Sequence, residues 1–160
     1  MLEKPHRQIL HQPTRSSRHD MKTSSQSLPG IMQVAYVPVE RLQRHSDLKC
    51  LSSVPVEVFT APTPIALKGE TTCETVSQYD NNGRTEKTTL RFRTLDDIPT
   101  TRPVAFIVTD VNRQRYLVGL REAPYPVIRR TSTTGTPGGD PAVTSYEVAF
   151  VALKALIKLG

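Results

Sequence analysis

The sequence predicts a mainly β protein, an antiparallel sandwich or small barrel with an extended N-terminal arm. Short runs rich in Val, Ile, Thr and aromatic residues recur at roughly ten-residue spacing from residue 31 onward, which is typical of all-β domains. Residues 1–30 contain only a few scattered apolar residues and show no periodicity. We therefore expect a polar, basic arm over 1–30, disordered unless bound to a neighbour, and a β domain over 31–160.

The β domain opens with the run IMQVAYVPV at 31–39. Its β-branched and aromatic residues favour a strand, but Pro38 has no N–H to donate, so the run lies at a sheet edge or ends there. If it lies at an edge, it is available to pair with an adjacent subunit. Residues 40–51 can form one or two helical turns, with Leu42 and Leu48 facing inward.

Two further strands and a hairpin follow. VPVEVFT at 54–60 alternates valine with other residues and predicts a half-buried strand, and 61–70 bends at its prolines and resumes as a short strand. The runs 72–80 and 84–94 flank an Asn-Asn-Gly turn, which favours a tight hairpin because Asn and Gly tolerate positive φ.

The second arm of this hairpin predicts two different faces. Leu90 and Phe92 point to one side and Arg91 and Arg93 to the other, because side chains alternate along a strand. We expect an apolar face in the core and a basic face in solvent.

The last third of the chain predicts a second hairpin. VAFIVTD at 104–110 is apolar on both faces, which indicates a central strand, and it pairs with 115–120. Residues 124–130 predict a further strand, and the glycine- and proline-rich run 131–141 a mobile loop. The final run, 142–159, predicts a strand through Ala152, with its end open between helix and strand.

The positive charge sits at the two ends of the chain. The net charge is +6, of which residues 1–30 contribute +3 and residues 101–160 contribute +4, so the middle is nearly balanced. Basic ends are compatible with nucleic acid, a membrane surface or an acidic protein, or with solvated tails. The longest apolar stretch, 148–159, is too short to span a bilayer, and we expect a protein without a membrane partner.

No residue pattern predicts catalysis, a metal or a cofactor. The adjacent carboxylates Asp96 and Asp97 fit a turn better than a catalytic pair. The glycine-rich run 134–140 lacks the lysine of a phosphate-binding loop. The histidines and the two cysteines lack metal-ligand spacing. One disulfide between Cys50 and Cys73 is an alternative, but two buried free thiols are the simpler expectation.

The stretch YLVGLREAPYP at 116–126 predicts a rigid corner. Gly119 permits a bulge or a close approach of two backbones, and Arg121 and Glu122 are expected to form a surface ion pair. Two prolines then fix an extended segment around Tyr125, which is able to anchor against a neighbouring surface.

The order of pieces in this region resembles a known group of proteins. These pieces are Phe106-Ile107-Val108, Asp110, Leu117-Val118-Gly119, Pro124-Tyr125-Pro126, Thr134-Gly135 and Gly138-Gly139-Asp140. The order is similar to that in small proteins encoded among tail and virion genes of Bacteroidetes phages and prophages, and the likeness covers about the last third of the chain. The resemblance implies a building block that a particle contains in many copies, and it implies no catalytic residue.

We therefore expect a non-enzymatic structural subunit of a phage virion (tail, connector or capsid-associated). It would assemble in the host cytoplasm through the edges of its β domain and through its arm, with copies of itself and other virion proteins as partners. The alternative is a nucleic-acid-binding β-barrel module that uses the basic ends. The candidate interface residues are Arg7, Arg15, Arg18, Lys22, Tyr36, Arg121, Tyr125, Arg129 and Arg130.

Overall fold

Two antiparallel sheets of five strands each face one another and enclose the hydrophobic core. The computed structural model describes residues 23–27, 30–139 and 142–160. Its strands are β1 (Thr23–Ser27), β2 (Ile31–Pro38), β3 (Thr63–Ile65), β4 (Thr72–Asp80), β5 (Gly83–Thr94), β6 (Val104–Asp110), β7 (Arg115–Val118), β8 (Val127–Thr133), β9 (Val143–Ala152) and β10 (Ile157–Lys158). The fold class is confirmed, and of the two expected forms the sandwich is found.

The first sheet has the order β1-β4-β5-β9-β8, and the second sheet the order β10-β7-β6-β2-β3. The hairpin β4–β5 is confirmed: Asn81 and Asn82 form its two-residue turn, and Gly83, the first residue of β5, has a positive φ of +116°, which glycine tolerates. The hairpin β6–β7 is also confirmed, although β7 already ends at Val118.

Aromatic side chains from both sheets meet in the middle of the sandwich. The Phe92 ring on β5 lies 6.0 Å from the Phe106 ring on β6, and it stacks on the Tyr146 ring of β9 at 5.3 Å between centroids. Burial of such rings contributes strongly to stability because each removes a large apolar surface from water. β6 is buried along nearly its whole length, which confirms its predicted central position.

Two details of the predicted first half differ. Residues 54–60 form no strand: Ser53 has a positive φ of 59° and Pro55 lacks an N–H, so Val56 is buried without joining a sheet. The helical turn is found as α1 (Ser46–Leu51), preceded by a short 3₁₀ helix, Val39–Arg41, but Leu48 is 47% exposed and does not face inward. Leu42 is buried as expected.

The sequence left two alternatives for the run at 31–39, a position at a sheet edge or an end at Pro38, and β2 ends at Pro38. The strand is not at the edge of its sheet, because β3 pairs with it from Val34 to Tyr36. The expectation that this run offers a free edge to an adjacent subunit is therefore wrong. Pro38 is tolerated because it is the last residue of the strand, opposite Val104.

At the C-terminal end, β8 continues through Thr133, so the loop begins three residues later than predicted from 131–141. β9 ends at Ala152 as predicted. The residues after it, which the sequence left open between helix and strand, contain the two-residue strand β10, which pairs with β7. Most of the expected arm, residues 1–22, lies outside the described residues. Thr23–Ser27, also assigned to the arm, is paired with β4 as an edge strand.

Candidate interaction surfaces

β8 is an edge strand with a free side. It pairs with β9 from Val127 opposite Ala149 to Thr133 opposite Val143, and in the part of the chain that the structure describes it has no second neighbour. Its β-branched residues explain why it forms a strand, and Val127 is 69% exposed. A seven-residue edge of this kind presents unpaired backbone N–H and C=O groups to a partner.

The opposite edge of the first sheet is β1. It pairs with β4 from Thr23 opposite Gln78 to Ser27 opposite Glu74, and no other described strand lies beside it. The second sheet has shorter edges: β3 has three residues, one of them Pro64, and β10 has two. Among the described strands, the first sheet therefore carries the two longest edges that lack a second neighbour.

The outer face of the first sheet carries a row of charged residues. Arg91 on β5, Glu147 on β9 and Arg129 on β8 occupy directly opposed positions. The Arg91 Nε donates to Glu147 Oε2 at 3.0 Å, and this hydrogen bond, with the charges of Arg91, Arg129 and Lys87, holds the pKa of Glu147 below its usual value. Glu147 therefore keeps its negative charge and offsets the positive charge on either side of it.

One step further along the same face, Arg93 stands opposite Ser145, which in turn stands opposite Thr131. Arg93 and Ser145 line two adjoining depressions of about 550 Å³ and about 770 Å³. The smaller one also contains the Arg91–Glu147–Arg129 row and Glu70. The larger one continues over Lys68 and the start of the loop after β8. We call the two depressions together the Arg93 groove.

The predicted interface residues lie in several places. Arg7, Arg15, Arg18 and Lys22 fall outside the described residues. Tyr36 is half-buried against the core, and Tyr125 is 39% exposed at the proline corner. Arg129 lies on the outer face of β8. Arg130 points to the other side, where its Nη1 lies 3.2 Å from Asp97 Oδ1. The structure thus brings only Arg129 into the groove.

Arg121 and Glu122 form no ion pair with each other, contrary to expectation. The Arg121 Nη1 donates to the Leu42 carbonyl at 3.3 Å, and Glu122 Oε1 accepts from the His45 N–H at 3.0 Å. Since adjacent side chains diverge, both residues bind the segment 42–45 and fasten it to the proline corner. Arg121 is half-buried in this contact.

The adjacent carboxylates have separate partners that are distant in sequence. Asp96 Oδ2 accepts from the Ala66 N–H at 2.8 Å, and Asp97 pairs with Arg130. Within residues 30–139 and 142–160, no group of three or more His, Cys, Asp or Glu side chains is placed to hold a metal ion. The described part also contains no helix long and apolar enough to cross a membrane. Both cysteines are free; Cys73 is buried, and Cys50 only half-buried.

Sequence reasoning missed Glu86, which is 1% exposed on the inner side of β5. Its Oε1 accepts from Arg84 and from Lys154 Nζ (3.4 Å), and its Oε2 accepts from the Ala155 N–H at 3.0 Å. The alternation that predicted Leu90 and Phe92 inside also places Glu86 on the inner face, so the signal was present in the sequence. Lys68 was missed as well, because a backbone contact, and not strand alternation, brings it beside Arg93.

The chain matches no family model, no curated protein and no solved structure.

Proposed function

We propose that the chain is a non-enzymatic structural subunit of a phage virion whose copies join edge to edge through the first sheet. The observation that carries this proposal is that, among the described strands, β8 on one side and β1 on the other end the first sheet with a single neighbour each. An edge strand is a template for a strand from another chain, with backbone hydrogen bonds supplying the affinity. The phage setting and the virion location derive from the order of pieces in the last third of the sequence.

The charges favour joining β8 of one copy to β1 of the next. In a two-fold pairing of β8 with itself, Arg129 and Arg130 would approach their own copies, and like charges opposite one another are destabilising. β1 has the sequence TSSQS and contains no charged residue. Pairing of unlike edges is head-to-tail, and repeated head-to-tail contacts give a closed ring or a helical filament.

The proposal is tested with two neighbouring proline substitutions, Thr131→Pro and Ser132→Pro. Successive N–H groups of a strand point to opposite sides, so one substitution removes a bond to β9 and the other removes only a donor of the open edge. The one that lowers the melting temperature least identifies the edge-facing position. We expect this variant to lose assembly in light scattering while the wild-type chain forms oligomers whose size grows with concentration.

A wild-type chain that stays monomeric at all attainable concentrations would contradict the proposal. So would a folded edge variant with the oligomer distribution of the wild type. Nuclease treatment serves as a control, because a contact between protein edges is indifferent to it.

The second candidate function is nucleic-acid binding, and a specific observation favours it: Arg91, Arg93 and Arg129 share the outer face of the first sheet. Basic side chains on one face can follow a phosphate backbone. This function predicts that the purified chain carries nucleic acid and releases it steeply as salt rises. Glu147, between two of the arginines, opposes such binding.

A further inference from the structure

Among the described residues, the larger half of the Arg93 groove contains positive charge and no acidic side chain. Its lining consists of Lys68, Gly69, Arg93, Ser132, Thr133, Thr134, Gly135, Thr136, Val143 and Ser145. The smaller half differs, because Glu70 and Glu147 lie there with the arginines. We propose that the larger half is a binding site for a phosphate group, which comes from a small ligand or from the backbone of a nucleic acid.

The backbone segments that carry the two cations are hydrogen-bonded to each other. The Lys68 N–H donates to the Arg93 carbonyl at 2.8 Å, and the neighbouring pair Leu67 and Thr94 forms a β-bridge. Lys68 and Arg93 are both exposed. Within residues 30–139 and 142–160 neither has a salt-bridge partner. Two such cations on adjacent backbone segments attract an anion, since no described carboxylate lines this half of the groove.

Hydroxyl groups line the remaining wall. Ser132, Thr134, Thr136 and Ser145 are all on the lining, and a hydroxyl can donate to an anionic oxygen. The Thr133 hydroxyl is not counted among them because its Oγ1 already donates a hydrogen bond to the Val143 carbonyl at 3.0 Å. A phosphate offers three or more oxygens and up to two negative charges, which matches two cations and several hydroxyls better than a carboxylate with two oxygens.

The lining also restricts the rest of the ligand. Its described residues include no aromatic side chain and one aliphatic one, Val143, so they offer no platform on which a base or a sugar ring can stack. The volume of about 770 Å³ accommodates more than one phosphate group. The ligand is thus a compact phosphate compound, or a backbone phosphate of a nucleic acid whose bases stay outside the groove.

The experiment uses the full chain and measures binding of pyrophosphate and of a single-stranded oligonucleotide by calorimetry. The test variant is the double substitution Lys68→Gln/Arg93→Gln. The matched control is Arg102→Gln/Lys158→Gln, which removes the same two charges from exposed positions outside the groove. Circular dichroism and the melting temperature verify that both variants are folded.

We expect the wild type to bind pyrophosphate, the test variant to bind at least about tenfold more weakly because two charge-assisted contacts are lost, and the control to bind like the wild type. Oligonucleotide binding that depends on Lys68 and Arg93, without pyrophosphate binding, supports the site and identifies a backbone phosphate as its source. Binding of neither probe, or an equal loss in the control, overturns the proposal. These outcomes do not depend on the proposed edge-to-edge assembly, because neither Lys68 nor Arg93 belongs to β1 or β8.

Discussion

Glu86 places a charged side chain inside the sandwich, where its carboxylate joins β5 to the segment after β9. It accepts from Arg84, Lys154 and the Ala155 N–H. We expect Glu86→Ala to lower the free energy of unfolding by about 3 kcal/mol, because a buried N–H and two cations lose their acceptor. Urea denaturation measures this loss.

The matched control is Glu147→Ala in the same sheet. Its pair with Arg91 is exposed, with 58% and 38% of the two side chains accessible, so solvent replaces the lost contact. We expect a much smaller effect than at Glu86. Equal losses of stability at the two positions would show that the buried Glu86 carboxylate does not join β5 to the segment after β9.

Cys73 makes the free energy of unfolding depend on pH in the alkaline range. Burial raises the pKa of its thiol from 9.0 to about 12. The folded state therefore keeps its proton while the unfolded state loses it above pH 9.0, so the contribution is fully present below pH 9.0 and is lost as the pH rises toward 12.

We expect the wild type to lose about 1.4 kcal/mol relative to Cys73→Ala between pH 8 and pH 10, measured by urea denaturation with a reducing agent. Burial also raises the pKa of Tyr116, but this residue is present in both proteins and its contribution cancels. Parallel pH profiles of the two proteins would contradict the expectation.

At the scale of elements, Gly119 sets how closely the corner after β7 approaches β6. Its φ is +133°, and a Cβ at this position would lie 2.6 Å from the Cβ of Ala105. Gly83 has a similar φ of +116° but no atom within 4 Å of such a Cβ. Both Gly119→Ala and Gly83→Ala strain the backbone, but only the first adds a clash.

We therefore expect Gly119→Ala to cost about 1–3 kcal/mol more than Gly83→Ala, as overpacking of a core does. Thermal or urea unfolding of the two variants measures the difference. If both variants lose the same stability, the close approach of Gly119 to Ala105 is not tight in solution.

Elements that carry their own turn or alternation could be predicted from the sequence. The hairpin β4–β5 follows from Asn-Gly, and the central position of β6 from apolar residues on both faces. The strand predicted over 54–60 was wrong because alternation indicates which side chains are buried and not whether a neighbouring strand is present. Val56 is buried, yet its carbonyl accepts from the Gly160 N–H at the far end of the chain.

The candidate surfaces were less predictable for a related reason. Alternation identified Arg91 and Arg93 as an outward pair, but the groove also requires Lys68, which a contact 25 residues distant in sequence brings to Arg93. The edge strand β1 was missed because TSSQS has neither apolar alternation nor β-branched residues beyond Thr23. Its strand geometry is imposed by β4.

At the scale of the whole molecule, two truncations separate the roles of the N-terminal region. Deleting residues 1–22 keeps β1, whereas deleting 1–29 removes it and opens the nine-residue edge of β4. We expect both proteins to retain the sandwich, with its core intact beyond residue 30. The shorter one should aggregate in light scattering, because a longer strand edge is exposed.

Equal solubility of the two truncated proteins would show that β1 does not protect β4. Loss of folding on removal of 1–29, detected by circular dichroism, would show instead that this region belongs to the core.

Among the described strands, the first sheet ends on both sides in a strand with a single neighbour, and this has a geometric consequence. Neighbouring strands of a sheet are rotated by roughly 20–25°, so the direction of the strands turns by roughly 100° for every five added. Copies added edge to edge inherit this rotation and cannot lie flat beside one another. The proposed assembly must therefore coil around an axis, and its pitch or circumference in electron micrographs would report the twist of a single subunit.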